Sequence, residues 1–207
     1  MSIKIECRNI TKSFDSVSSV FEKIDLEIRS GNTLAVTGPN GSGKSTFLKI
    51  ITGLIKPTKG ELAYFLNDNK ITKDEFKLHF GFVAPYLNLY EEFTPVELIR
   101  LYAKIRQEEV NRESAIDLLK KFKLYDHRLR QVREFSSGMK QRMKYIVALL
   151  HDPGCLFLDE PSTNLDEEGI SNVEAYIERF KDEGKMVAVA TNDKREKSLC
   201  DREFSVL

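Results

Sequence analysis

Apolar and polar residues alternate through the first thirty positions. Ile3 and Ile5, then Phe21, Ile24, Leu26 and Ile28, stand between charged neighbours, as in strands that bury one face. Polar Asp15 to Ser19 predicts a turn between the two stretches, and Ser30-Gly31-Asn32 ends the second. A short, wholly apolar strand follows at Leu34-Ala35-Val36 and runs straight into Gly38. An apolar helix is predicted from about Lys44 to Ile55, stopped by Lys56-Pro57.

From about 94 to 150 the period changes to that of helices. Thr94-Pro95-Val96-Glu97 has the form of a capping box with proline at the first helical position. Val96, Ile99 and Ala103 make one stripe, Ala115, Leu118, Leu119 and Phe122 a second, and Met143, Ile146, Val147 and Leu150 a third; all three are read as core faces. Two fully apolar strands, Leu156-Phe157-Leu158 and Met186 to Ala190, bracket a helix carrying Ile170, Val173, Ile177 and Phe180. Short buried strands alternating with helices predict an α/β fold with a mostly parallel sheet covered on both faces. The N-terminal strands predict an antiparallel β subdomain, and the helical stretch from about 86 to 150 an inserted lobe within one domain spanning 1–207.

Composition changes this picture little. With 207 residues and 41% hydrophobic content the chain can bury a substantial core. Its 32 basic and 32 acidic residues cancel, so no global field attracts nucleic acid or anionic lipid, and no nucleic-acid partner is expected. Cys7, Cys155 and Cys200 are odd in number and scattered, which predicts free thiols in a reducing compartment. No secretory pattern opens the sequence and no apolar run approaches the ~20 residues that span a bilayer, so a cytoplasmic location is expected.

The chemistry is concentrated in two segments. Gly38-Pro39-Asn40-Gly41-Ser42-Gly43-Lys44-Ser45-Thr46 satisfies the phosphate-loop pattern G-x-x-x-x-G-K-[ST], between a predicted strand and a predicted helix. Small residues let backbone N–H groups turn inward around a polyphosphate, and the helix that starts there aims its positive end at the anion. Lys44 offers a point charge to the terminal phosphates and Ser45 a hydroxyl to Mg²⁺. This segment alone specifies a nucleoside triphosphate and leaves kinases, GTPases and ATPases open. The second segment is Asp159-Glu160, where an apolar strand ends in two carboxylates. Asp159 is placed to hold the Mg²⁺ shell, and Glu160 to act as base or water-orienting group for attack on a γ-phosphate.

Phe135-Ser136-Ser137-Gly138-Met139-Lys140-Gln141-Arg142 resembles the LSGGQQQR signature, and with it nearly the whole chain resembles an ATP-binding domain of the ABC transporter family. The resemblance implies a dimeric ATPase that uses ATP and Mg²⁺ and works with separately encoded membrane-spanning permease subunits. It implies that Ser136, Ser137 and Gly138, a serine-glycine turn opening a helix, close over ATP held by the opposite subunit. Phe14 resembles the aromatic that stacks on adenine, core packing being the competing reading. Ser162-Thr163-Asn164-Leu165-Asp166 resembles the loop that crosses the dimer interface, and Gly53 to Glu61 the connection out of the phosphate-loop helix.

Two positions depart from the family pattern. Pro85 stands where the family usually has glutamine, and proline brings no side-chain oxygen. Asn192, in Ala190-Thr191-Asn192-Asp193, stands where it usually has histidine; it can donate a hydrogen bond but cannot carry charge. Loss of one such electrostatic contact slows comparable chemistry by about 10²–10³, so tight ATP binding with slow hydrolysis is expected. A homodimer inherits both departures twice, whereas a heterodimer pairs this chain's serine-glycine turn with a partner's phosphate loop; both remain open. Other function classes compete less well. Repair-type relatives carry a long coiled coil and translation-type relatives two cassettes, while simple kinases lack the signature. A regulatory ATP-binding module that hardly turns over stays in contention.

Overall fold

β1 (Ile3–Ser13) and β2 (Ser19–Arg29) pair antiparallel, with Ile5 opposite Ile28 and Cys7 opposite Leu26, so the alternation read from the sequence turns one row of side chains inward. A computed structural model describes residues 1–14, 18–107, 109 and 111–206 of the chain, and most of the turn expected at Asp15 to Ser19 lies outside them. After Gly31 comes β3 (Thr33–Thr37), buried at every position, and then α1 (Lys44–Ile51). This helix stops four residues short of the expected Ile55. The Thr52 hydroxyl donates back to the Leu48 carbonyl at 2.8 Å, and Gly53 turns the chain away with φ 71° before the proline is reached.

The next elements carry weaker sequence signals. β4 (Lys59–Leu66) and β5 (Asn69–Ile71) complete a four-stranded antiparallel sheet ordered β2-β1-β4-β5. The short α2 (Lys73–Phe76) is held by a capping box between Thr72 and Glu75. It seats Phe76 against Tyr64, Phe80 and Phe157, with the Tyr64 ring stacked at 4.2 Å. β6 (Phe80–Val83) then enters the second sheet.

The helical stretch resolves into α3 (Pro95–Arg106), α4 (Arg112–Lys121) and α5 (Ser137–Leu149). The Thr94–Glu97 capping box opens α3 as its sequence predicts. Leu98, Tyr145 and Leu149 join the expected stripes as buried residues, and Phe122 lies stacked between Tyr145 and Tyr176. The chain continues through β7 (Cys155–Asp159), α6 (Glu167–Asp182), β8 (Met186–Ala190), α7 (Lys194–Ser198) and β9 (Arg202–Ser205).

Five strands form a parallel sheet ordered β6-β7-β8-β3-β9. Its central strands are buried along their length and mostly apolar because both faces are covered. Leu156, Leu158, Val187 and Val189 face a core shared with α3 to α6. Phe157, Met186, Ala188 and Ala190 face the opposite core, shared with α1 and the antiparallel sheet. The fold is α/β, with a parallel sheet, an N-terminal antiparallel sheet and a helical layer. All the strands of the parallel sheet run one way, so the loops that leave their C-terminal ends gather along one edge. Beyond β9 the chain stays in register with β3, the Val206 N–H donating to the Thr37 carbonyl at 2.8 Å. Cys7 and Cys155 are buried and Cys200 half-buried, none of them in a disulfide; burial raises the Cys7 and Cys200 thiols to about 12. Among the described residues no helix is long and apolar enough to cross a membrane.

Candidate functional site

The register of the parallel sheet sets Val36, Ala190 and Asp159 side by side. One residue further on, three chains turn out of the sheet together: the phosphate loop after β3, Glu160 after β7, and Thr191-Asn192 after β8. Backbone bonds lock their starting points, from Glu160 N–H to the Ala190 carbonyl at 2.9 Å and from Thr191 N–H to the Val36 carbonyl at 3.0 Å. This is the position where open parallel sheets bind ligands.

Gly38 opens the loop with φ 141°, and a Cβ there would lie 2.4 Å from the Val206 carbonyl oxygen, so no side chain fits. Gly43, at φ 102°, is the N-cap of α1. Lys44 is buried, and its ammonium donates to the Gly38 and Pro39 carbonyls at 2.8 and 3.1 Å, which curls it back over the loop. The Ser42 hydroxyl is buried without a hydrogen-bond partner among the described residues. An unpaired buried hydroxyl is costly, and a phosphate oxygen would satisfy it.

A cleft of about 340 Å³ runs along this loop, lined by Phe14, Asn40, Gly41, Lys44, Ser45 and Thr46 among others, with Glu160 on its rim. Phe14 is 70% exposed, which excludes the core-packing reading; it stands in the cleft wall with the Lys12 ammonium 4.8 Å from its ring centre. Such a ring is free to stack on a planar base.

Asp159 is 1% exposed, and its Oδ2 has no hydrogen-bond partner among the described residues. A buried carboxylate oxygen left bare, at the sheet edge from which the phosphate loop departs, fits a hard cation such as Mg²⁺. No group of three or more His, Cys, Asp or Glu side chains converges among the described residues, so such a cation would take the rest of its shell from phosphate and water. Glu160 adopts φ 46°, an uncommon conformation for a residue with a side chain. The chain turns sharply there, and the carboxylate is exposed at the junction of two clefts. The second cleft is lined by Asn40, Thr163, Asn192 and Asp193 among others, and Asn192 Nδ2 donates to Asn40 Oδ1 at 3.1 Å across it.

Ser136 and Ser137 are exposed, and the Ser136 hydroxyl caps α5 by accepting from the Met139 N–H at 3.2 Å. The turn lines neither cleft; the Lys44 loop and the Ser136 turn are separate surfaces of one chain. Between them runs the segment Ser162 to Asp166. A Cβ on Gly138 would stand 2.9 Å from the Asn164 carbonyl oxygen, and Arg142 grips both Asp166 oxygens at 2.6 and 2.8 Å.

Three residues that sequence patterns did not single out hold this assembly together. The buried Glu196 carboxylate accepts from Ser162 N–H at 3.1 Å and Ser162 Oγ at 2.5 Å, tying that segment to the helix after Asn192. Lys144, on α5, donates to the Pro85 and Ala84 carbonyls at 2.6 and 3.2 Å. Tyr86, next to Pro85, has the Lys49 ammonium 3.8 Å from its ring centre, and desolvation pushes its phenol pKa up. Their partners lie 34 to 60 residues away in the chain, so no local pattern marks them.

Known proteins similar to this chain in sequence and fold are consistent in kind. The family model described as ABC transporter matches residues 21–163. The lipoprotein-releasing system ATP-binding protein LolD of Francisella tularensis is 29% identical over 99% of this chain and 94% of its own. The lantibiotic transport ATP-binding protein SrtF of Streptococcus pyogenes is 31% identical, over 91% of this chain and 80% of that one. Among solved structures, a dimeric ATP-binding cassette bound to ADP and Pi in a post-hydrolysis state superposes with a TM-score of 0.84, at 26% identity over 98% of this chain and 94% of its own.

Proposed function

The chain belongs to the ABC transporter family, and from that premise we propose that it is the ATP-binding and ATP-hydrolysing subunit of a transporter whose membrane-spanning permease is a separate chain. The observation that carries the reading is the pairing of a left-handed glycine loop around buried Lys44 with an orphaned Asp159 oxygen at the same sheet edge. That edge asks for an anion and a cation together, which Mg²⁺-ATP supplies.

In this reading the phosphate loop, Gly38 to Thr46, wraps the β- and γ-phosphates with its backbone N–H groups, and Lys44 pairs with their charge. Phe14 covers the adenine. Ser45 and Asp159 would hold Mg²⁺, which when bound neutralises charge developing on the phosphates. Glu160 orients the attacking water and accepts its proton, and Asn192 donates to the γ-phosphate. Ser136, Ser137 and Gly138 serve the nucleotide of a second subunit, since they line neither of this chain's own clefts. ATP buried between two subunits favours closure, and its hydrolysis releases it. The motion passes to the permease through the helical layer, which places the protein on the cytoplasmic face of a membrane.

The engagement of Asn192 with Asn40, and a neutral amide in a position that usually carries imidazole, support slow turnover. A regulatory module that binds ATP and seldom cleaves it is the second reading; steady-state ATPase measured with the permease present separates the two. The primary test is a calorimetric titration with ATP and Mg²⁺. Micromolar binding is expected, with at least about a hundredfold loss in Lys44→Ala, equivalent to ~2.7 kcal/mol; a wild-type chain that ignores ATP ends the reading.

A further inference from the structure

Glu160 is held in its left-handed conformation from both sides. Its own N–H donates to the Ala190 carbonyl at 2.9 Å, and its carbonyl accepts from the Thr163 N–H at 3.1 Å. Pro161 follows, with φ fixed by its ring, and then the peptide unit that joins Pro161 to Ser162. Both polar groups of that one peptide are taken by buried side chains. The Pro161 carbonyl accepts from the Tyr145 hydroxyl at 2.9 Å, and the Ser162 N–H donates to the Glu196 carboxylate at 3.1 Å. The two side chains come from different helices, α5 and α7. A residue with a side chain keeps a positive φ only where its surroundings over-determine it, and here they do.

Tyr145 has little freedom of its own. It is 1% exposed, and its ring is stacked on that of Phe122 at 5.7 Å. Burial pushes its phenol well above the usual range, so the hydroxyl stays a donor. The residue lies about two turns into α5, the helix that the Ser136 turn opens. We propose that Tyr145 is a positioning residue for hydrolysis: by holding the Pro161 carbonyl, its hydroxyl fixes the sharp turn that presents the Glu160 carboxylate to the attacking water. This role rests on the one given to Glu160 above and adds a residue that lines neither cleft. The competing role is local, a donor that merely satisfies a buried carbonyl.

Tyr145→Phe removes the hydroxyl and keeps the ring and its stacking. ATP affinity and single-turnover hydrolysis are measured for this variant in the wild-type and Glu160→Gln backgrounds, the latter followed over hours. Tyr176→Phe, from the same aromatic stack, is the control. Tyr145→Phe is expected to lower the rate about ten- to a hundredfold, the order of loss that a small misplacement near the chemistry brings, at unchanged ATP affinity. It should cost nothing further once Glu160 is glutamine, because the two changes act through one group. Tyr176→Phe should keep the wild-type rate. An unchanged rate in Tyr145→Phe overturns the proposal and leaves the ATP reading intact. Equal losses in both backgrounds, or a parallel loss of ATP affinity, reveal the local role and also overturn it. If the wild-type chain neither binds nor cleaves ATP, both readings fall.

Discussion

Asn192 is the residue whose chemistry differs most from what its position ordinarily requires. Its amide is neutral at every pH and is already shared with Asn40. An imidazole in its place would add a titratable donor beside the terminal phosphate. Asn192→His is expected to raise the single-turnover rate by about tenfold or more, up to the ~10²–10³ that one electrostatic contact contributes to such chemistry. A quenched-flow assay on purified protein measures it, and an unchanged rate would mean that another group limits hydrolysis. Phe14 teaches a related lesson. Sequence left core packing and adenine stacking open for it because a lone phenylalanine carries no pattern, and its exposure excludes the first.

Elements were legible in proportion to how much they bury. β3, β7 and β8 are buried along their whole length and read as apolar runs, and α6 shows a clean stripe. β4 buries only Tyr64 fully and β9 buries nothing fully, so their pairing is backbone work that hydrophobic spacing does not record. The phosphate loop and the Asp159-Glu160 pair were legible because both are contiguous; Tyr86, Lys144 and Glu196 were not, because each acts on a distant segment. One junction between elements carries a pH signature. Hydrogen bonds from Arg142, and then the Gly169 N–H, hold the Asp166 carboxyl below the usual carboxylate range. A lowered folded pKa means that this contribution is complete above about pH 4 and disappears as pH falls through the folded value. The difference in melting temperature between the wild type and Asp166→Asn should be constant from neutral pH to about pH 5 and shrink below pH 4. A gap that persists in acid would assign the effect to packing.

For the molecule as a whole, the separation of the Lys44 cleft from the Ser136 turn bears on the proposed stoichiometry. In that proposal one chain offers half of each of two sites and a second chain completes both. Glu160→Gln, which keeps the shape of the side chain and removes its charge, is expected to bind ATP without consuming it and to accumulate as a dimer. Light scattering should show a monomer without nucleotide and a doubled mass with Mg²⁺-ATP. Persistent monomers at saturating ATP would point instead to a different ATPase chain as the obligatory partner.

The hydrogen bond between Val206 and Thr37 has a practical corollary for the segment that follows β9. The Val206 carbonyl is also the neighbour that leaves no room for a side chain on Gly38. Cutting the chain just before Val206 would therefore loosen the mouth of the phosphate loop from behind, with all its own residues intact. An affinity handle fused directly after Val206 would press on the same spot, whereas one attached ahead of Ile3 would leave it alone.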